Sequence, residues 1–312
     1  MTGDTPFTVA LIGASGLLGR AVAAELARAD SARTWRVVTT AHSRAGLHDV
    51  KLDLLDHGAV RAFLKDLKPD AIVVAAAERR PDVCEHDPAL ARALNVDALR
   101  EIAREARATG AWVLSISTDY VFDGTSPPYR PDDAPAPLNA YGRSKLDGER
   151  ALLDCDPASC VLRLPLLYGP CTDWNESAVT SLTPAIVASA DAVHPGAPMD
   201  AWATRYPTFT PDVAVVIRGM LEHHARGATI SGITHWSGDE PMTKFDIAGR
   251  IARALKLDPR LIAQRTPTDT TPRPRDCHLD SARLEALGIG RRTPFDHAIA
   301  SLLANYPNLP DQ

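Results

Sequence analysis

The chain has no apolar run approaching the ~20 residues that a helix needs to cross a bilayer. Its first residues, Met1-Thr2-Gly3-Asp4-Thr5-Pro6, carry neither the basic flank nor the apolar stretch of a secretory leader. Five cysteines are present (Cys84, Cys155, Cys160, Cys171 and Cys277), but no Cys-x-x-Cys pair. Free thiols in a reducing compartment, and a cytoplasmic address, are expected. There is no long basic block and the net charge is −5, which argues against nucleic acid as the main partner. No internal repeat is visible. Asp53, Asp56 and His57 lack a second cluster at metal-ligand spacing, so no metal site is expected. His223-His224 reads as a solvated helix end, because neighbouring helical side chains diverge by about 100°.

What is present is ordinary globular material: 312 residues, 45% hydrophobic and 23% charged, enough for a large core and two lobes. In the first half, short apolar runs alternate with segments of helical period. Strands are expected over residues 7–12, 35–40, 71–75, 111–117 and 161–167. A first helix is expected where Leu18, Val22 and Leu26 share a face, and others over 59–67, 89–109 and 139–153. Apolar strands joined through helices imply a Rossmann-type, doubly wound parallel sheet covered on both faces. After Gly169 the segments shorten, with helices expected over 177–189, 211–223, 244–255 and 294–304. The expected division is a nucleotide-binding domain over 1–168 and a smaller, mostly helical C-terminal substrate-binding lobe over 169–312, some segments returning to the sheet. Proline-rich stretches at 127–137 and 267–274 are read as ordered loops.

Gly13-Ala14-Ser15-Gly16-Leu17-Leu18-Gly19 lies between the first strand and its helix. There a glycine turn brings backbone N–H groups and the positive end of a helix dipole against a diphosphate. At the end of the second strand an acid would bind a ribose 2′-hydroxyl, whereas Thr39-Thr40-Ala41-His42-Ser43-Arg44 offers none. Arg44, helped by Ser43, suits a 2′-phosphate, so NADP is the expected cofactor. Asp53 and Leu54 are placed toward the adenine, and Ala76 and Ala77 follow the strand over 71–75.

Tyr141 and Lys145 are one helical turn apart. A phenol titrates at about 10. A neighbouring ammonium is expected to lower that value and make Tyr141 a proton donor to a carbonyl oxygen, with Thr118 bonding the same oxygen. Lys145 is also expected to hold the nicotinamide ribose.

This constellation resembles the extended short-chain dehydrogenase/reductase superfamily. Ser117–Gly124, Pro137–Lys145 and the Arg163…Tyr168-Gly169 run are similar to dTDP-4-dehydrorhamnose reductase. Ala76–Val83, Asp123–Arg130, Glu176–Thr180, His235–Gly238, Pro272–Arg275 and Leu287–Phe295 resemble the regulatory beta subunits of methionine adenosyltransferase. That resemblance implies an NADP-binding, reductase-shaped protein that attaches to the catalytic methionine adenosyltransferase subunit and modulates S-adenosylmethionine synthesis. The alternative it leaves open is an active NADPH-dependent reductase of a nucleotide-linked keto sugar. Two departures stand out. The beta subunits have serine where this chain has Thr118, and after Phe295 the tail to Pro310 diverges, although in them it reaches the catalytic partner.

With the resemblance, Arg79 and Arg80 are expected to face an anionic substrate or effector. Trp202, Arg205 and Tyr206 are candidates for the substrate cleft. Arg273 and Arg275 either clamp a phosphate or pin the late loop. Charge-assisted hydrogen bonds contribute ~1.5–3 kcal/mol, so Arg44→Ala is expected to weaken NADP binding by at least about tenfold while sparing NAD. Calorimetric titration with each dinucleotide measures this, and equal losses would contradict the assignment.

Overall fold

The computed structural model describes residues 6–28, 33–43, 46, 49–191, 193–267 and 270–304. Seven strands form the main sheet: β1 (Phe7–Ile12), β2 (Trp35–Ala41), β3 (Val50–Lys51), β4 (Ala71–Val74), β5 (Trp112–Thr118), β6 (Cys160–Leu164) and β7 (Gly232–His235). Their order is β7-β6-β5-β4-β1-β2-β3 and every pairing is parallel. Val9 of β1 stands opposite Val37 on one side and Ala71 on the other. The chain therefore leaves its central strand in one direction and crosses back to continue in the other. The crevice between β1 and β4 is the switch point at which ligands gather in such sheets.

Alternation along β1 decides which helices cover which face. Val9 and Leu11 pack with Leu18, Val22 and Leu26 of α1 (Leu17–Leu26). Ala10 and Ile12 pack with α2 (His57–Leu67), α3 (Ala98–Thr109) and Leu152 of α4 (Ala140–Cys155). The first face is completed from far along the chain, by Val213, Ile217 and Leu221 of α5 (Thr210–Ala225). A separate core unites Tyr168, Val179 and Ile186 with α6 (Lys244–Leu255) and α7 (Phe295–Ala304).

Three elements differ from the sequence reading. The helix expected over 89–109 begins at Pro88 and is interrupted by a π-helical turn at Ala93–Asp97, where Asn95 turns inward. The helix expected over 177–189 is a 3-10 turn at Thr180–Leu182 followed by a short helix at Thr183–Ala188. Pro184 fits only the first turn of a helix, so helical structure restarts there. His224 is only partly solvated: it is half-buried, with its ring stacked on Trp112 at 5.0 Å. The first proline-rich stretch is pinned, with Tyr129 N donating to His278 O (2.7 Å) and Ala136 N to Val121 O (2.9 Å).

One buried ion pair ties α4 to the sheet. Arg163 of β6 forks onto Glu149 of α4, Nε to Oε1 at 3.0 Å and Nη2 to Oε2 at 2.6 Å, both side chains under 5% exposed. The Ser117 hydroxyl of β5 donates to the same carboxylate. On β7, burial and the adjacent Arg163 pull His235 down to about 3, so the imidazole is neutral. Removing one partner of such a pair strands a charge. Arg163→Met is expected to cost about 3–5 kcal/mol in urea unfolding, and Glu149→Gln/Arg163→Met to recover part of that. A single-variant loss below ~1 kcal/mol would contradict this.

Candidate cofactor and carbonyl site

The glycine turn is built for close approach. Gly13 has φ +88°, and a Cβ there would lie 2.8 Å from the backbone N of Ala76. A Cβ on Gly19 would lie 2.2 Å from Gly13 O. The turn hangs from β2, Gly13 N and Ala14 N both donating to Thr40 O at 3.1 and 2.9 Å. Gly16 caps α1 without a side-chain hydrogen bond, so the first-turn N–H groups face outward with no intrahelical partners. Ser15 and Leu17 are half-buried, and Leu18 is buried in the sheet packing, so it offers its backbone alone. This cradle fits a dinucleotide diphosphate.

At the far end of β2, His42 and Ser43 are exposed. His42 Nε2 lies 3.7 Å from Asp53 Oδ2, and Asp53 Oδ1 accepts from Leu55 N at 2.9 Å. Arg44 lies outside the described residues, as does the tail beyond Ala304. Leu54 and Ala76 line one small internal cavity of about 10 Å³ together with Asn95 and Lys145; Ala77 is exposed.

Thr118, Tyr141 and Lys145 gather at the C-terminal end of β5. Asn139 caps α4, accepting from Gly142 N at 2.9 Å. Lys145 is buried, and its Nζ donates to Ile116 O at 2.8 Å. Burial pulls this ammonium down to about 8, opposed by Glu149. Tyr141 departs from the sequence expectation. Burial pushes its phenol above the usual range, and the Thr118 hydroxyl only partly offsets this. Helical spacing promised a lowered value, but the Lys145 ammonium is turned to a backbone carbonyl instead. Thr118 is buried, with Oγ1 3.2 Å from Asp119 Oδ1. Burial pushes Asp119 up to about 6, with Arg205 opposing. The arrangement holds a protonated phenol and a hydroxyl beside each other at the end of the strand.

Of the expected anion-binding arginines, Arg205 and Arg273 share a cavity, whereas Arg79 and Arg80 lie outside it. Arg205 is buried, with Nη1 donating to Thr204 O (2.9 Å) and Pro274 O (3.0 Å) and its guanidinium 5.8 Å from the Tyr120 ring. Arg205 and Arg273 line a cavity of about 180 Å³ with Trp202 and Lys244. Arg273 also reaches Asp82 at 3.7 Å. Tyr206 is outside that cavity, stacked on His278 at 4.0 Å. Arg79 is exposed and Arg80 forks onto Glu78, Nε and Nη2 at 2.9 and 2.8 Å; neither lines the cavity.

Sequence reasoning missed Asn95. Its amide clamps the backbone of Glu78 (2.9 and 3.0 Å) and donates to Ser144 Oγ at 2.9 Å, joining the loop after β4 to α4. The available signal was a polar, poor helix former inside an otherwise helical pattern.

Residues 7–308 match the family described as RmlD substrate binding domain. The chain belongs to this family. A methionine adenosyltransferase 2 subunit beta from Pongo abelii is 45% identical over 97% of this chain and 89% of its own length. A probable low-salt glycan biosynthesis reductase from Haloferax volcanii is 32% identical over 92% and 95%. Among solved structures, a hypothetical dTDP-4-dehydrorhamnose reductase from Sulfolobus tokodaii superimposes with a TM-score of 0.77 at 27% identity, covering 90% of this chain and 94% of that one. The dTDP-4-dehydrorhamnose reductase of Bacillus anthracis, determined in complex with NADP, has a TM-score of 0.80 at 21% identity, covering 98% and 100%. The sheet order of the RmlD-family chain agrees with this shared fold. Among the described residues no group of His, Cys, Asp or Glu is placed to hold a metal, and no helix is long and apolar enough to cross a membrane. All five cysteines are free thiols.

Because a Cβ on Gly19 meets backbone rather than a movable side chain, Gly19→Ala is expected to weaken NADP binding by on the order of tenfold. Gly249, inside α6, has nothing within 4 Å of a built Cβ; Gly249→Ala should leave binding unchanged and add about 0.5–1 kcal/mol of stability. Calorimetry and urea titration check both, and unchanged NADP affinity in Gly19→Ala would overturn the steric account.

Proposed function

We propose that this RmlD-family chain is an NADP-binding, reductase-like regulatory beta subunit of methionine adenosyltransferase, which associates with the catalytic subunit in the cytoplasm and modulates S-adenosylmethionine synthesis. The observation that carries this reading is the 45% identity to a methionine adenosyltransferase 2 subunit beta, spread over 97% of the chain. Cofactor choice is supported by the glycine cradle, by the absence of an acid at Ala41-His42-Ser43, and by Arg44 in the sequence. Gly13, Gly16 and Gly19 would pass the backbone close to the diphosphate, and Lys145 would hold the nicotinamide ribose.

The second reading, an NADPH-dependent nucleotide-sugar reductase, is favoured by the intact Thr118, Tyr141 and Lys145 and by the Haloferax volcanii relative. In that reading NADPH supplies a hydride to a carbonyl carbon. Tyr141 would give its proton to the carbonyl oxygen, although burial makes this phenol a weaker acid than a free tyrosine. Thr118 orients the oxygen, and Lys145 orients the ribose. These roles require only that a carbonyl reach the C-terminal end of β5.

The chain mixed with the catalytic methionine adenosyltransferase subunit of the same organism is expected to elute as one complex in size-exclusion chromatography. NADPH absorbance should stay constant in the presence of a dTDP-4-keto sugar. Absence of a complex together with turnover lost in Tyr141→Phe would replace the first reading by the second.

A further inference from the structure

Arg20, one residue past the glycine turn, is a junction between the two lobes. Its Nη1 donates to Ser15 O at 2.7 Å, inside the turn. Its Nη2 pairs with the Glu176 carboxylate and lies 3.4 Å from Pro170 O. Glu176 also accepts from Thr172 N and Thr172 Oγ1, at 3.2 and 3.1 Å. Burial works to raise the Glu176 carboxyl, and the bonds from Arg20 and Thr172 outweigh it and hold it below the usual range. Glu176 begins the Glu176–Thr180 run, for which neither the cofactor cradle nor the carbonyl site has a use.

The bond to Ser15 O has a geometric effect. In a trans peptide the C=O and the following N–H point in opposite directions. The Ser15–Gly16 peptide is held at both ends, its oxygen by Arg20 and its N–H by Gly13 O at 3.1 Å. The plane of this peptide sets the direction of the next N–H groups, at the start of α1, toward an incoming diphosphate.

We propose that Arg20, held by Glu176, is a positioning residue for the dinucleotide diphosphate, and that it ties occupancy of the glycine turn to residues 172–176 at the start of the second lobe. This rests on the reading that the turn holds NADP. Arg20 acts through the peptide plane and through Glu176. Lysine at position 20 carries the charge but cannot fork onto Glu176 and the two carbonyls together.

The test is calorimetric NADP binding by wild type, Arg20→Met, Arg20→Lys, Glu176→Gln and the double variant Arg20→Met/Glu176→Gln, with thermal unfolding of each. Arg20→Met and Glu176→Gln are each expected to weaken NADP by about tenfold, non-additively when combined, with Arg20→Lys between them and wild type. Hydrogen exchange should show amides 172–176 protected by NADP in wild type and not in Glu176→Gln. Lower melting temperatures with wild-type NADP affinity would make the pair merely structural and overturn the proposal. If Arg20→Met fails to fold, Glu176→Gln, which keeps shape and volume, decides alone. Wild-type protein that binds no NADP would instead overturn the cofactor reading beneath it.

Discussion

The buried fork between Arg163 and Glu149 governs the geometry of the site. Taking two charges out of water costs several kcal/mol per ion, and the cost is offset only where the geometry is good and the remaining lone pairs are filled. Here two parallel N–H···O bonds and the Ser117 hydroxyl fill them. Glu149 is one helical turn beyond Lys145, so the pair that binds α4 to β6 also fixes where Lys145 can reach. Neighbouring residues of β5 grip successive turns of the same helix, Ile116 O taking Lys145 and Ser117 taking Glu149. The position of Tyr141, a further turn back, follows from the same registration.

The alternation of apolar strand and helical stripe made the nucleotide-binding half legible, because each of those signals is local. The strand over 7–12, the glycine turn and the α4 helix all stand where period and turn chemistry put them. The meeting of Thr118 with Tyr141 and Lys145 was legible by a different route, since parallel sheets deliver strand ends to one edge. Arg20 was not legible, because its partner Glu176 is 156 residues away. Asn95 was hidden for a similar reason, its partners lying in the loop after β4 and on α4. The direction of the Tyr141 shift was misread because spacing reveals neighbours but not burial, and burial is the larger effect.

Burial also bears on the two functional readings. Without a ligand, burial keeps the phenol neutral and weakens the ammonium, which still carries its charge at neutral pH. Such a pair forms a shaped wall for a ribose, whereas proton donation by the phenol works against the shift that burial imposes. The geometry that seats a cofactor is the geometry that would use it.

α5 and β7 come from beyond residue 209, yet they cover α1 and extend the sheet past β6. The nucleotide-binding layer is thus finished late in synthesis, only when the segment through His235 has emerged. Until then one face of the sheet and the edge of β6 stay bare, and long-range contacts of this kind close slowly. The two halves are interleaved rather than strung together. A fragment ending near Gly169 would be an unfinished fold, so any exchange of lobes between members of this family has to carry the 210–235 segment with the first half.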